Sequence, residues 1–154
     1  MLSPSISEVA EHLGADLINR TALTSPEIQL GELVEYFMLG GWFLDHGAYV
    51  FSRRENKAVI VRGDRPDLQM AALDTSTTCL ILTNGKLPVQ YIVHHAKLRQ
   101  TPILTTQAGT LETMERLNNI GERVTFHSAH KVQHFAELLE THCNVESLTS
   151  LAVT

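Results

Sequence analysis

The side chains that could do chemistry fall in a few short stretches. Gly63-Asp64-Arg65 sets a carboxylate and a guanidinium beside a glycine, just ahead of Pro66. Where such a corner opens a helix, unpaired backbone N–H groups and the positive helix pole suit an anion. There Asp64 can cap the helix and Arg65 can reach a carboxylate or phosphate. The plainer reading is a capped turn with a local Asp–Arg pair, and this stretch alone favours it. A catalytic reading makes Asp64 a base or metal ligand and Arg65 the phosphate clamp of a small enzyme. One carboxylate without a second metal ligand is thin support for that. His130 and His134 stand one helical turn apart and could face one metal, but no Glu or Cys joins them on that helix and Lys131 opposes a cation. A solvated helical face is the better reading. His94 and His95 diverge by about 100° on a helix and do not chelate together. Cys79 sits in an apolar run, where burial keeps a thiol inert. Thr75 to Thr78 and Thr105-Thr106 read as strand-end hydrogen bonders. The expectation is no catalytic residue, no metal site and no cofactor.

These residues need elements to position them. Ser5-Ile-Ser-Glu8 has capping-box spacing for a helix to about Leu13, with Gly14 as its stop. Ala15 to Ile18 suits a short strand. Residues 19–32 read as a loop or irregular edge. Leu33 to Met38 reads as a strand, and Trp42 to about Arg53 as a helix burying Phe43, Val50 and Phe51. Strands and helices then alternate: strand 57–62, helix 66–74, strand 78–82, helix 88–99, strand 102–105, helix 110–119. Pro66 and Pro88 suit first helical positions. Leu98 is expected to help the packing of its helix, and Leu111, Met114, Glu115 and Leu117 fall in the middle of theirs. Val124 to Phe126 suits an edge strand, and Ser128 caps a last helix. Short connections between apolar strands imply an α/β fold with a mixed, mostly parallel sheet flanked by helices. Ligands gather at the carboxyl ends of such strands. The candidate ligand site is therefore Gly63, Asp64, Arg65, Thr83, Asn84, Gly85 and Thr110, provided their strands are neighbours.

The bulk properties narrow the class. The chain has 154 residues, 44% hydrophobic and 19% charged, with a net charge of −5. That is enough for one domain with a core, and it argues against a nucleic-acid or anionic-membrane surface. No apolar stretch would span a bilayer, and the start lacks a signal-peptide pattern. Cys79 and Cys143 read as reduced thiols, which fits a cytoplasmic setting.

The run Lys57 to Leu73, with its Gly-Asp-Arg and Ala-Ala-Leu, resembles the DRTGG domain. The likeness continues through Cys79-Leu-Ile-Leu-Thr-Asn-Gly85, Pro88 and Thr110-Leu-Glu-Thr-Met-Glu-Arg116. Lys131 to Glu140 is similar to the segment that follows this domain in long phosphotransacetylases. The resemblance implies a regulatory or spacer domain such as those in phosphotransacetylases and CBS-domain pyrophosphatases. It implies a layered fold similar to the N-terminal domain of HPr kinase, often dimeric. It also implies a metabolic enzyme as a candidate protein partner. Two departures stand out: Asn84 occupies the first glycine place after Leu-Thr, and Gly109 stands where the family often has Asp. There is no P-loop motif, and no CBS pair or acyltransferase domain fits this length. The expected organisation is 1–32 as lead-in, 33–127 as DRTGG-like core, 128–143 as C-terminal helix and 144–154 as tail. Tyr36, Phe37, Met38, Trp42, Phe43, Tyr49 and Phe51 crowd one segment. Phe37 and Phe51 are expected in the core, and Met38, Trp42 and Tyr49 at a homodimer contact. A small anionic metabolite or nucleotide is the expected ligand, and an interaction module without a ligand is the alternative.

Overall fold

The computed structural model describes residues 3–41 and 47–120. Helix α1 (Ile6–Leu13) begins as its sequence dictates: Ser5 Oγ accepts from the Glu8 amide, and the Ser5 amide donates to the Glu8 carboxylate at 2.8 Å. Gly14 closes it with φ +59. Strand β1 (Asp16–Leu17) follows. Residues 19–32 hold more than the expected loop: a 3-10 turn (Arg20–Ala22) and helix α2 (Pro26–Leu30). Distant side chains fasten them. Buried Asn19 donates to the Thr101 carbonyl and accepts from the Ile103 amide, both at 2.9 Å. Gln100 Oε1 accepts from the Thr24 amide at 2.7 Å and from Gln29 at 3.0 Å.

The rest alternates: β2 (Tyr36–Leu39), α3 (Gly47–Phe51), β3 (Lys57–Arg62), α4 (Pro66–Leu73), β4 (Thr77–Thr83), α5 (Gln90–Arg99), β5 (Ile103–Thr105) and α6 (Thr110–Asn118). The sheet runs β1-β5-β4-β3-β2; β2 to β5 are parallel, and β1 is antiparallel to β5. The fold is thus a mixed, mostly parallel sheet flanked by helices. β2 starts later than the expected Leu33, because Val34 is buried and bonded to the Pro4 carbonyl instead. Pro88 does not open α5: Val89, still extended, is the N-cap, so the helix begins two residues after the proline. Leu98 and Leu111 do not pack inward; they are 67% and 69% exposed. Trp42 and Phe43, Gly121 onward, the 124–126 strand and the helix after Ser128 lie outside the described residues.

Each parallel strand neighbours the next in sequence. Right-handed crossovers between such neighbours put their helices on one face. Phe51 of α3, Leu68, Ala72 and Leu73 of α4, and Ile92 and Ala96 of α5 accordingly pack with Val59, Val61, Leu80, Leu82 and Ile103. The opposite pleat, Ala58, Ile60, Cys79, Ile81 and Leu104, is covered by α1 and by Leu117 of α6. His12 Nε2–H donates to the Arg116 carbonyl and joins those two helices.

Candidate functional site

The loops after β3, β4 and β5 are neighbours, so the sheet brings the three candidate stretches together. They form a continuous seam. The Gly63 amide donates to the Thr83 carbonyl at 3.2 Å, the Asn84 amide to Ala108 at 3.0 Å and the Gly85 amide to Thr106 at 2.9 Å. The hydroxyls of Thr83 and Thr110 are 2.9 Å apart. Gly63 lies so close to the next loop that a Cβ there would sit 2.3 Å from the Lys86 carbonyl oxygen. Asn84 and Gly85 are both left-handed, at φ +66 and +63. Asparagine tolerates that region, so its place in the turn costs little. α5 leaves β4 for one face and α6 leaves β5 for the other. In open α/β sheets, a divergence of this kind makes a crevice at the strand ends.

The electrostatics differ from the sequence expectation. Asp64 does not cap α4. Arg65 is the N-cap residue and makes no side-chain cap bond. Asp64 is gripped by Arg62 through Nε at 3.0 Å and Nη2 at 2.7 Å, with Lys86 at 4.0 Å. The Arg62 bonds hold its carboxyl below the usual carboxylate range, so it is a poor proton acceptor. Arg65 in turn grips Asp67 at 3.0 and 2.7 Å. Asp67 is also lowered, first by Arg65 and further by the Leu68 amide. The positive pole of α4 is therefore already met by a carboxylate of its own first turn.

Gln69 is a residue that the sequence reading missed. It is fully buried, and its Nε2 donates to the carbonyls of Arg62 at 3.0 Å and Gly63 at 3.1 Å. It holds the end of β3 against α4. A glutamine between Leu68 and the buried Ala72-Leu73 was the available signal.

α6 is like α4 in having no side-chain cap and a first-turn carboxylate, Glu112, which Arg116 meets at 2.6 Å. Its N-cap is Gly109, with extended backbone and no side-chain bond. A Cβ there meets only Asn84 Oδ1, at 3.7 Å. Thr110, Leu111 and Glu112 amides thus begin a helix without a cap beside the Thr83–Thr110 hydroxyls. Leu87 and Val89 of the loop after β4, Tyr91 of α5 and Leu111 of α6 are each at least 47% exposed. Elsewhere, Cys79 is buried and its thiol is pushed far above the ordinary value. His95 meets Asp74 at 3.0 Å. Among the described residues no group of three or more His, Cys, Asp or Glu could hold a metal, and no helix is long and apolar enough to cross a membrane. His130, His134 and Cys143 lie outside the described residues.

Residues 8–120 match the model of the DRTGG domain. The chain belongs to the DRTGG family. A solved DRTGG structure shares the fold with 19% sequence identity and a TM-score of 0.58. It contains the CBS and DRTGG domains of the regulatory region of Clostridium perfringens pyrophosphatase, complexed with the activator diadenosine tetraphosphate. The match covers 73% of this chain but only 45% of that one.

Proposed function

We propose that this DRTGG chain is a non-catalytic regulatory module that pairs as a homodimer and binds a small anionic metabolite or nucleotide at the strand ends. The observation that carries the ligand reading is the uncapped start of α6 beside the paired Thr83 and Thr110 hydroxyls. Asn84 and Gly85 line the same seam, and backbone N–H groups with hydroxyls are what an oxyanion needs. Gly63, Asp64 and Arg65 form the wall of this site; Arg65 would contact an anion only by leaving Asp67. The organisation supposed is a core of 33–127 with lead-in, C-terminal helix and tail. The homodimer reading rests on β2, the outer strand among the described residues, with its exposed Tyr36, and on the exposed Tyr49 of α3, a composition that interface centres favour.

Thermal-shift titration with nucleotides, diadenosine tetraphosphate, acetyl phosphate and CoA tests the ligand, since a ligand at a hundred times its Kd stabilises by about 2.7 kcal/mol. Gly109→Asp is the matching variant. Its carboxylate would cap α6, raising stability by a few tenths of a kcal/mol, and would repel the anion. A shift that survives Gly109→Asp places the ligand elsewhere. No shift with any compound favours a second reading, an interaction module whose contact is made by the exposed Leu87, Val89, Tyr91 and Leu111. A metabolic enzyme is the partner class that reading implies.

A further inference from the structure

The turn before β3 is built around a lysine that faces inward. Lys57 is fully buried, and its Nζ donates to the Arg54 carbonyl at 3.0 Å and to the Ser76 carbonyl at 2.6 Å. Arg54 precedes β3 and Ser76 precedes β4, so one side chain ties two turns at the amino-terminal end of the sheet. The strand pairing slips here: Lys57 is opposite Thr77, but Ala58 is opposite Cys79. Thr78 is the extra residue of a bulge, and a bulge weakens the ladder at that point. The lysine bonds supply a tie where the ladder is irregular.

The same turn also builds the outer edge of the sheet. Asn56, left-handed at φ +49, accepts on its carbonyl from the Glu35 amide at 2.8 Å and the Tyr36 amide at 3.4 Å. Its side chain donates to the Glu35 carboxylate at 3.2 Å. The Arg54 guanidinium lies 4.7 Å from the centre of the Tyr36 ring, and Arg53 lies 4.9 Å from that of Tyr49. Turn 53–57 therefore carries both guanidinium groups and sets the start of β2, while Lys57 fixes the turn from inside.

We infer that Lys57 is a positioning residue for the β2–α3 edge: by clamping turn 53–57 to Ser76 it holds Tyr36, Arg53 and Arg54 in the arrangement that a second copy of the chain meets. This rests on the homodimer reading above. Two carbonyl acceptors match the two hydrogens of a neutral amine as well as two of the three on an ammonium, so the clamp works in either charge state.

Lys57→Met keeps a long unbranched side chain, one atom shorter, and removes both bonds. Hydrogen exchange at the Glu35 and Tyr36 amides should then quicken about tenfold more than at Leu80 to Leu82 in the sheet centre. Self-association, read by sedimentation, should weaken about tenfold. Exchange that rises equally everywhere, or a variant that dimerises like the wild type, overturns the positioning role and leaves the homodimer reading intact. A wild type that stays monomeric overturns both. Should the methionine variant fail to fold, nitrogen-15 spectra of the lysine ammonium groups in the intact protein test the clamp directly. Lys57 Nζ–H protons must exchange far more slowly than those of exposed Lys86 and Lys97; equal rates overturn it.

Discussion

The two ends of the sheet are held by opposite means. At the carboxyl end, backbone meets backbone: loops after β3, β4 and β5 exchange amide–carbonyl bonds, and Gly63 admits the Lys86 carbonyl. At the amino end the turns before β3 and β4 are joined by a long side chain, Lys57, reaching two carbonyls from inside. A backbone seam is indifferent to most surface side chains and intolerant of added bulk at its glycines. A side-chain clamp is the reverse, since one substitution removes it whole. The carboxyl end is thus built for constancy of shape, and the amino end for adjustment by mutation.

The sharpest way to break this contrast is Gly63→Ala. Its Cβ meets backbone, which has nowhere to go, so urea unfolding should show a loss of about 2 kcal/mol. Gly85→Ala is the control: its Cβ would lie 2.1 Å from Gln107 Oε1, the end of an exposed and flexible side chain. Only the left-handed backbone is then penalised, by roughly 1 kcal/mol. Equal losses at both glycines would show that the Lys86 loop yields, and the idea of a rigid seam would go.

Next in size is the pH dependence that Lys57 confers. Burial lowers its amine from the ordinary 10.5, with Glu55 opposing. Well below both values the amine is charged folded and unfolded, and folding bears the full desolvation cost. As pH rises through the window between the lowered folded value and 10.5, the folded chain sheds its proton first. Stability contributed by Lys57 therefore rises across that window and is retained above it. Urea midpoints at pH 7 to 10.5 should show the wild type gaining on Lys57→Met. A falling difference would mean that the carbonyls favour the ammonium outright.

The smallest effect belongs to Asp64→Asn. Its partner Arg62 is well exposed, and solvent screens such pairs. The unfolding midpoint at pH 7 should not move measurably. A large loss would show that the ion pair, and not the glycine contact, holds the seam.

Much of the frame was legible in the sequence because it is local. Ala58 to Val61 and Cys79 to Leu82 are unbroken apolar runs, the mark of strands covered on both faces. Ser5 and Glu8 announce α1 by their spacing. Convergence of Gly63, Thr83 and Thr110 also followed from strand order. What stayed hidden depends on partners far along the chain or on competition at close range. Nothing near Asn19 or Gln29 says that Thr101, Ile103 and Gln100 will bind them. Asp64 had both a helix to cap and Arg62 to pair with, and the bidentate guanidinium won. Leu98 and Leu111 have helical neighbours with the right spacing, yet only one side of each short helix touches the sheet.

The antiparallel pairing of β1 with β5 has a consequence for synthesis on the ribosome. Leu17 is paired with Leu104, and Asp16 with Thr105. β1 is made before its partner, which leaves the ribosome roughly ninety residues later, a wait on the order of ten seconds at ordinary elongation rates. During that wait β2, β3 and β4 can add one by one, each beside its predecessor. The apolar face of α1 must meanwhile rely on contacts with its own neighbourhood, such as the Pro4 carbonyl with the Val34 amide and the bridge between Ser5 and Leu33. β1 is therefore made well before the strand that locks it in place.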